Sequence, residues 1–400
     1  MEFSVHHQVL LLGFIVAIGL GAVMHKTRFC TMGAVSDWVN MGHKGRLGAW
    51  FLAIAVAILG VVVLEAAGVI AVQNKTLGAS FPSYRTAQFS WLSYMLGGVL
   101  FGIGMTLAGG CGSRTLIRVG GGSLKSLVVL IVIAVVAYLM VWTDLYKELF
   151  LVWIGPTRVN LARWGIPSQE LGAIAGGLMK RQDTHMLHFL LGGLVAAVFL
   201  FFVLRWREFR EGGNNLFGGI AVGLAVVAGW IITGGPLSEA WGEYALMPTA
   251  EPPIRVAAQS YTFISPMADV ANLLLNPHWP LVSFGVVAFA GVLIGSLLYA
   301  VAAKRFQVEW FTSGGDFVSH VFGGVLMGVG GVLAMGCTIG QGITGVSTLA
   351  LGSFLALFFM IFGSALTMKV QYHLLDKKGF LCALHAAAAD MKLLPKPNAP

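Results

Sequence analysis

The sequence predicts an all-α integral membrane protein. Of its 400 residues, 57% are hydrophobic and only 10% are charged, whereas soluble domains carry about 25% charged residues. The apolar residues form long continuous runs, whereas the strands of a membrane β-barrel would be about ten residues long and would alternate in polarity. These two observations favour a bundle of membrane-spanning helices.

Nine apolar runs have the length of a membrane-spanning helix. They lie near residues 8–24, 48–73, 90–109, 126–142, 186–204, 216–232, 280–302, 317–335 and 349–372. Two shorter apolar runs lie near residues 149–155 and 170–179. We therefore expect about nine spanning helices, together with several short or broken re-entrant helices.

The formal net charge of +8 reports membrane orientation rather than nucleic-acid binding, because much of it lies in short loops. Basic residues cluster at 43–46, 205–210, 304–305 and 369–378. The acidic loop at 237–275 fits the opposite face of the membrane, whereas a second basic loop near 156–183 does not fit neatly. Because short basic loops face the cytoplasm, the sequence predicts a cytoplasmic C-terminus. Membrane lipid is an expected partner, and nucleic acid is not.

The chain contains an internal repeat. The segment "GGVLFGIGMTLAGGC" at 97–111 matches "GGVLMGVGGVLAMGC" at 323–337 in ten of fifteen positions without a gap. A related unit without a cysteine lies at 218–237. Repeats with glycine-interrupted apolar segments at corresponding places are typical of transporters. We therefore divide one membrane domain into an N-terminal half-repeat, a C-terminal half-repeat and a cytoplasmic tail. Their predicted boundaries are 1–183, 184–375 and 376–400.

Three of the four cysteines lie in polar motifs within apolar segments, Cys30 in "FCTMGA", Cys111 in "AGGCGSRT" and Cys337 in "AMGCTIGQG". A lone cysteine is usually a small hydrophobic residue, and we assign that role to Cys382. At the other three positions, a soft and weakly donating thiol suits a sulfur- or selenium-containing anion. Burial favours the neutral S–H form, which does not repel such an anion.

The glycines beside the cysteines predict that the helices break there. Gly110 and Gly336 each precede a cysteine, and we expect them to adopt the positive φ that glycine permits. A broken helix exposes backbone N–H groups which, together with the helix dipole, bind anions. Neutral side-chain donors nearby complete the predicted site. They are Thr31, Ser113, Thr115, Thr338, Gln341 and Thr344.

The role of the charged residues near these motifs stays open. Arg28 and Arg114 either attract an anion to the mouth of the path or anchor helix ends. Glu65, in "VVVLEAAGVI", is either a functional intramembrane acid or a residue near a helix end. The chain has no P-loop for ATP and no set of residues with the spacing of metal ligands, so no metal or other cofactor is expected.

Four stretches together resemble the YeeE/YedE family of sulfur-transport membrane proteins. They are "RFCTMGAVSDW", "LAGGCGSRTLIRVGGGSLKS", "GGPLSEAWG" and "GGVLMGVGGVLAMGCTIGQG". The resemblance implies a thiosulfate importer of the bacterial inner membrane, with a pseudo-two-fold helical fold whose loops dip toward the centre from both sides. It also implies that Cys30, Cys111 and Cys337 are the functional cysteines. A TusA-like sulfur-carrier protein, on a separate chain, is the partner that the resemblance implies.

We therefore predict a membrane transporter, not an enzyme, that takes up thiosulfate by relaying the anion past three central thiols. The predicted substrate-binding residues are Cys30, Thr31, Gly110, Cys111, Arg114, Gly336, Cys337, Thr338 and Gln341. One alternative is a membrane thiol enzyme that passes sulfane sulfur as a persulfide to a carrier protein. Others are transport of a different sulfur or selenium species, and a structural or redox-sensing membrane subunit.

Overall fold

A computed structural model describes residues 4–72, 83–180, 185–247, 255–376 and 379–394. Over these ranges the chain is almost entirely helical, and its only strands are one short antiparallel pair, β1 (Gln88–Phe89) with β2 (Val159–Asn160). The predicted all-α class is therefore confirmed. The predicted boundary between the half-repeats, at 183–184, lies outside the described residues.

Seventeen α-helices follow one another along the described residues. They are α1 Val5–Thr27, α2 Thr31–Met41, α3 Gly45–Ala66, α4 Trp91–Leu107, α5 Gly112–Gly120, α6 Leu124–Trp142, α7 Val152–Ile154, α8 Leu171–Leu178, α9 His185–Arg205, α10 Arg207–Arg210, α11 Gly213–Gly234, α12 Ser238–Leu246, α13 Ile264–Leu275, α14 Phe284–Ala302, α15 Gly314–Leu333, α16 Leu351–Leu375 and α17 Phe380–Asp390. Short 3₁₀ or π-helical turns are Ser83–Arg85, Lys147–Leu151, Gly155–Thr157, Leu161–Trp164, Trp279–Leu281 and Gly340–Gly345.

Among the described residues, nine helical segments are long and apolar enough to cross a membrane. They are α1 with α2, α3, α4 with α5, α6, α9, α11, α14, α15 and α16. Each coincides with a predicted apolar run, because a helix of this length satisfies its backbone hydrogen bonds internally and exposes only side chains to lipid. The predicted number of spans is confirmed.

The helices pair between the two halves of the sequence. Helix α1 packs against α11, and each of them also packs against a second helix from the other half of the sequence, α1 against α14 and α11 against α3. Helices α4 and α15 repeat this pattern, because α4 packs against α16 and α15 against α6. In both pairs, the two paired helices also contact corresponding helices of opposite halves. An internal two-fold relation predicts this pattern.

Helices α4 and α15 lie antiparallel and touch through the glycines of the repeat. A Cβ atom on Gly97 would lie 2.3 Å from the backbone nitrogen of Ala334, and one on Gly104 would lie 2.6 Å from the carbonyl oxygen of Gly323. A larger residue at either place would force the two helices apart. The glycines along these helices therefore allow close packing. Those at the helix ends belong to the turns that precede the cysteines.

The described part of the tail is not an isolated extension. Helix α17 packs against α16, and His373 Nε2 lies 2.9 Å from a carboxylate oxygen of Asp390. Cys382 is exposed on α17, so our assignment of this residue as a small hydrophobic core residue is wrong. An exposed thiol on a tail helix gains nothing from packing.

Candidate functional site

Helices α1, α4 and α15 end in the same hydrogen-bonded turn, and a cysteine follows that turn each time. At the end of α15, the N–H of Met335 donates to the carbonyl of Val332 and the N–H of Gly336 donates to that of Gly331. This is the Schellman arrangement, in which the residue after the helix cap is left-handed. The three left-handed residues are Arg28 (φ 53°), Gly109 (φ 69°) and Met335 (φ 58°).

The turn corrects one predicted detail. We expected positive φ at Gly110 and Gly336, and Gly336 has it, with φ 159°. In the first unit, however, the positive φ falls on Gly109, because that residue occupies the left-handed position of the Schellman turn. Gly110 instead provides space, since a Cβ atom there would lie 3.0 Å from Cγ of Arg114.

Cys30 and Cys337 each cap the helical turn that follows them. The sulfur accepts a hydrogen bond from the N–H three residues further on, at 3.4 Å for both Cys30 and Cys337. Cys111 stands at the same position before α5, where its sulfur instead lies 3.4 Å from the hydroxyl oxygen of Ser113. Because a backbone N–H binds a lone pair of the sulfur, the S–H groups of Cys30 and Cys337 can still donate a hydrogen bond.

The three thiols converge inside the protein. The side chains of Cys30 and Cys111 contact each other, and the side chain of Thr338, next to Cys337, also contacts that of Cys111. None of the three cysteines is more than 5% exposed. The structure thus brings together three motifs that lie far apart in the sequence.

Three hydroxyl groups close to these motifs have no well-formed hydrogen bond within the described residues. They belong to Thr31, Thr262 and Thr338. Withdrawing a hydroxyl from water without a partner costs about 1–3 kcal/mol, so an unpaired group of this kind needs an explanation. Thr262 was missed at the sequence level. It faces Gly340, on which a Cβ atom would lie 2.3 Å from the threonine Oγ1.

Gln341 braces the break after α15. Its Nε2 donates to the carbonyl of Ala334 at 2.7 Å, and its Oε1 accepts from the hydroxyl of Ser353 at 2.6 Å. Gly336 makes room for this side chain, because a Cβ atom at that position would lie 3.2 Å from Cγ of Gln341. Both ends of the amide are occupied, so the geometry gives Gln341 a positioning role.

Two cavities lie on opposite sides of the thiols. The first, which we call the basic vestibule, has a volume of about 390 Å³ and is lined among others by His25, Arg28, Arg114, Arg118, Arg305 and Glu309. The second, which we call the opposite cavity, has a volume of about 100 Å³ and is lined among others by Tyr84, Arg255, Thr262, Ser283 and Met335. Helix α14 begins beside the opposite cavity and ends beside the basic vestibule. A helix of this length puts the two openings roughly 30 Å apart.

Comparison with known proteins identifies the family. The pattern of the sulphur transport family matches residues 26–366. The chain belongs to the sulphur transport family. It is 28% identical over 364 residues to the thiosulfate transporter TsuA of Escherichia coli (strain K12), with 89% of this chain and 92% of that protein covered. It is 24% identical over 352 residues to the thiosulfate transporter TsuA of Spirochaeta thermophila, with 88% and 96% covered.

Membership of the sulphur transport family and the nine spanning segments together confirm a multi-pass membrane transporter rather than an enzyme. The resemblance read from the four sequence stretches is also confirmed. The basic vestibule takes in both arginines that the sequence left open, Arg28 and Arg114. In this sulphur transport protein they therefore face a cavity rather than lipid alone.

Glu65 of this sulphur transport protein lies in the last turn of α3, within a cluster of charged residues. Arg85 donates to both oxygens of its carboxylate, at 2.7 and 2.8 Å, and His188 Nε2 lies 3.1 Å from it. The other ring nitrogen of His188 lies 2.8 Å from Glu170. Arg85 also donates to the carbonyl of Thr348 at 3.1 Å, so the cluster anchors the chain that follows the third cysteine. The sequence drew attention to Glu65 but gave no sign of partners so distant in the chain.

Proposed function

We propose that this transporter takes up thiosulfate across the bacterial inner membrane and releases it at the face of the basic vestibule. The names of its two relatives support the substrate. The vestibule lies beside the short basic loop after α14, and short basic loops mark the cytoplasmic face. One observation carries the proposal: three buried thiols from distant motifs meet between two cavities that open on opposite sides.

In this proposal the anion comes from the opposite cavity. It meets Cys337 first, because Met335, two residues away, lines that cavity. It then passes Cys111 and Cys30, which contact each other. Arg114 follows Cys111 by three residues and lines the vestibule, so the last thiols lead directly to the exit.

The thiols act in this proposal as neutral hydrogen-bond donors. Each S–H donates to the anion, and no sulfur–sulfur bond forms. The polarisable thiol suits the terminal sulfur of thiosulfate, and the helical turns that the thiols cap favour negative charge at their N-termini. The unpaired hydroxyls of Thr31 and Thr338 donate to the oxygens. Each site binds weakly enough to release the anion to the next.

We further propose that a TusA-like sulfur carrier accepts the outer sulfur of thiosulfate at the vestibule face: the carrier thiolate attacks that sulfur, the S–S bond of thiosulfate breaks, and sulfite leaves as the carrier persulfide forms. A passive path only equilibrates the anion, so uptake beyond equilibrium requires removal of the anion after passage. Carrier protein enclosed in proteoliposomes is expected to raise the final amount of sulfur taken up, whereas the same carrier added outside is not. Equal uptake with and without the enclosed carrier would contradict this partner.

Uptake of radiolabelled thiosulfate into proteoliposomes of the purified full chain tests the proposed function. We expect wild type and the matched control Cys382→Ala to take up label equally. Cys30→Ala, Cys111→Ala and Cys337→Ala should each take up much less, with folding checked by thermal unfolding in detergent. Equal uptake by all four variants would contradict the site. Wild-type uptake no greater than that of protein-free liposomes would contradict the function.

A further inference from the structure

Three guanidinium groups in the basic vestibule have no carboxylate partner within the described part of the chain. They belong to Arg28, Arg114 and Arg305, which come from the end of α1, the first turn of α5 and the loop after α14. A fourth arginine, Arg118, is paired, because its Nη2 lies 2.8 Å from Glu309. The vestibule therefore concentrates positive charge that the described residues leave uncompensated.

Glu309 does not change this balance. It is the only carboxylate among the described residues that line the vestibule. The hydrogen bond from Arg118 lowers the pKa of its carboxyl group, so Glu309 is ionised at neutral pH and its charge is matched by Arg118. Since no other acid among the described residues lines the vestibule, the remaining three arginines give it a positive potential that attracts anions.

The backbone fixes where these three arginines stand. Arg28 is the left-handed residue of the Schellman turn that ends α1. Arg305 follows the left-handed Lys304 (φ 54°) in a turn of the same kind at the end of α14, where its N–H donates to the carbonyl of Ala300 at 2.7 Å. Arg114 lies in the first turn of α5, three residues after Cys111. Three like charges around one cavity raise its positive potential and favour the binding of an anion between them.

The opposite cavity is built differently. Its arginine, Arg255, lies 2.9 Å from a carboxylate oxygen of Asp269 and is thereby compensated. Its volume of about 100 Å³ is also much smaller than the 390 Å³ of the vestibule. A dianion is therefore held more strongly on the vestibule side of the thiols than on the other side.

We propose that the basic vestibule is a second anion site, built from Arg28, Arg114 and Arg305, which takes small divalent oxyanions whether or not they carry a terminal sulfur. The planar guanidinium group binds such oxyanions through two parallel N–H bonds. Resting on the proposed function, this site retains the transported anion after the thiols. Its occupancy by product or by sulfate slows further uptake, so a reaction that consumes the anion at this face must keep the site open.

Binding of radiolabelled sulfate to the purified full chain tests this site without any transport. Sulfate lacks the terminal sulfur that suits the thiols, so we expect it to bind the vestibule in wild type and equally in Cys337→Ala. Removing two of the three cations, in Arg28→Gln with Arg305→Gln, is expected to weaken binding by about tenfold or more. The matched control is Arg207→Gln, whose side chain is 81% exposed and pairs with Glu211.

The lysine variant Arg28→Lys with Arg305→Lys keeps the charge. It is the control for a folding defect in the glutamine variant. It should bind sulfate with an affinity between those of wild type and the glutamine variant. Unchanged sulfate binding in the glutamine variant would overturn the second site. So would loss of sulfate binding in Cys337→Ala, since the thiols would then hold the anion.

A phospholipid phosphate carries similar chemistry, and the lipid composition separates the two sources. We expect equal sulfate affinity in vesicles of phosphatidylcholine alone and in vesicles that also contain phosphatidylglycerol. Loss of sulfate binding on adding phosphatidylglycerol would assign the vestibule to lipid headgroups and overturn the proposal.

The retention step has its own test in proteoliposomes whose vestibule face points inward. Sulfate enclosed in the vesicles should slow thiosulfate uptake by wild type and slow it less in the glutamine variant. Wild-type uptake that is unaffected by the enclosed sulfate would overturn retention of the anion in the vestibule. A wild type that binds sulfate but moves no thiosulfate would instead count against the proposed function alone.

Discussion

At the scale of single residues, each central thiol is buried beside the first turn of a helical segment. The sulfur of Cys337 accepts from the backbone N–H of Gly340 at 3.4 Å, which leaves its proton for another acceptor. Cys30 repeats this geometry with the N–H of Gly33, whereas the sulfur of Cys111 lies 3.4 Å from the hydroxyl oxygen of Ser113. A hydroxyl reproduces both contacts, because serine is a favoured helix N-cap and also a donor. A methyl group reproduces neither.

The first prediction follows from this pair of contacts. Cys337→Ser is expected to keep measurable thiosulfate uptake, whereas Cys337→Ala keeps less and also loses about 1 kcal/mol of stability with its cap. Initial uptake rates and thermal unfolding of both variants provide the measurement. Covalent transfer through a persulfide requires the sulfur itself, so equally inactive serine and alanine variants would contradict the donor role.

The unpaired hydroxyl of Thr338 gives a second prediction. Thr338→Val keeps the shape and removes a buried group that has no well-formed hydrogen bond, so stability should stay constant or rise. Uptake should fall by about tenfold, because a hydrogen bond to a charged partner is lost. In the control, Thr348→Val, the lost hydroxyl donates to the carbonyl of Gly345 at 2.7 Å, so stability should fall there. Undiminished uptake in Thr338→Val would remove the hydroxyl from the site.

At the scale of helices, three Schellman turns set where the thiols stand. Each turn reverses the chain after a helix and delivers a cysteine two residues beyond the left-handed position. Glycine occupies that position only in the first unit of the repeat, at Gly109, whereas Arg28 and Met335 adopt it despite their side chains. Such a conformation costs a residue with a side chain about 1–2 kcal/mol.

This cost gives the third prediction. Gly109→Ala is expected to lower stability by about 1 kcal/mol and to displace Cys111. The matched control is Gly19→Ala in α1, where a Cβ atom would have nothing within 4 Å and alanine should stabilise the helix. Thermal unfolding in detergent compares the two. Equal effects of both substitutions would contradict the strained turn.

The cluster around Glu65 gives a fourth prediction at the same scale. Glu65→Gln leaves Arg85, whose side chain is only 10% exposed, without its main counter-charge. Breaking one partner of a buried ion pair typically costs about 3–5 kcal/mol, and the partial exposure here places the loss at the lower end. The exposed pair of Arg207 with Glu211 is the control, since Arg207→Gln should change stability by less than about 1 kcal/mol. A stable Glu65→Gln protein would show that the cluster does not anchor α3.

At the scale of the whole molecule, apolar run length and the repeat were enough to predict the fold class and the nine spans. The repeated glycines also located the breaks before Cys111 and Cys337, because a membrane helix is interrupted only where its backbone finds other partners. Contacts between segments that lie far apart in the chain could not be predicted from the sequence. Thr262 carries no local signal, and the partners of Glu65 reach it only after the helices have packed.

The central claim is that thiosulfate passes the thiols intact. Thiosulfate that carries different isotopes on its two sulfur atoms, offered to proteoliposomes of the wild-type protein, tests this claim most directly. The account predicts that both isotopes enter in equal amounts and are recovered inside still joined, with no change in the mass of Cys30, Cys111 or Cys337. Entry of one isotope alone, together with a gain of one sulfur atom on any of these cysteines, would contradict it.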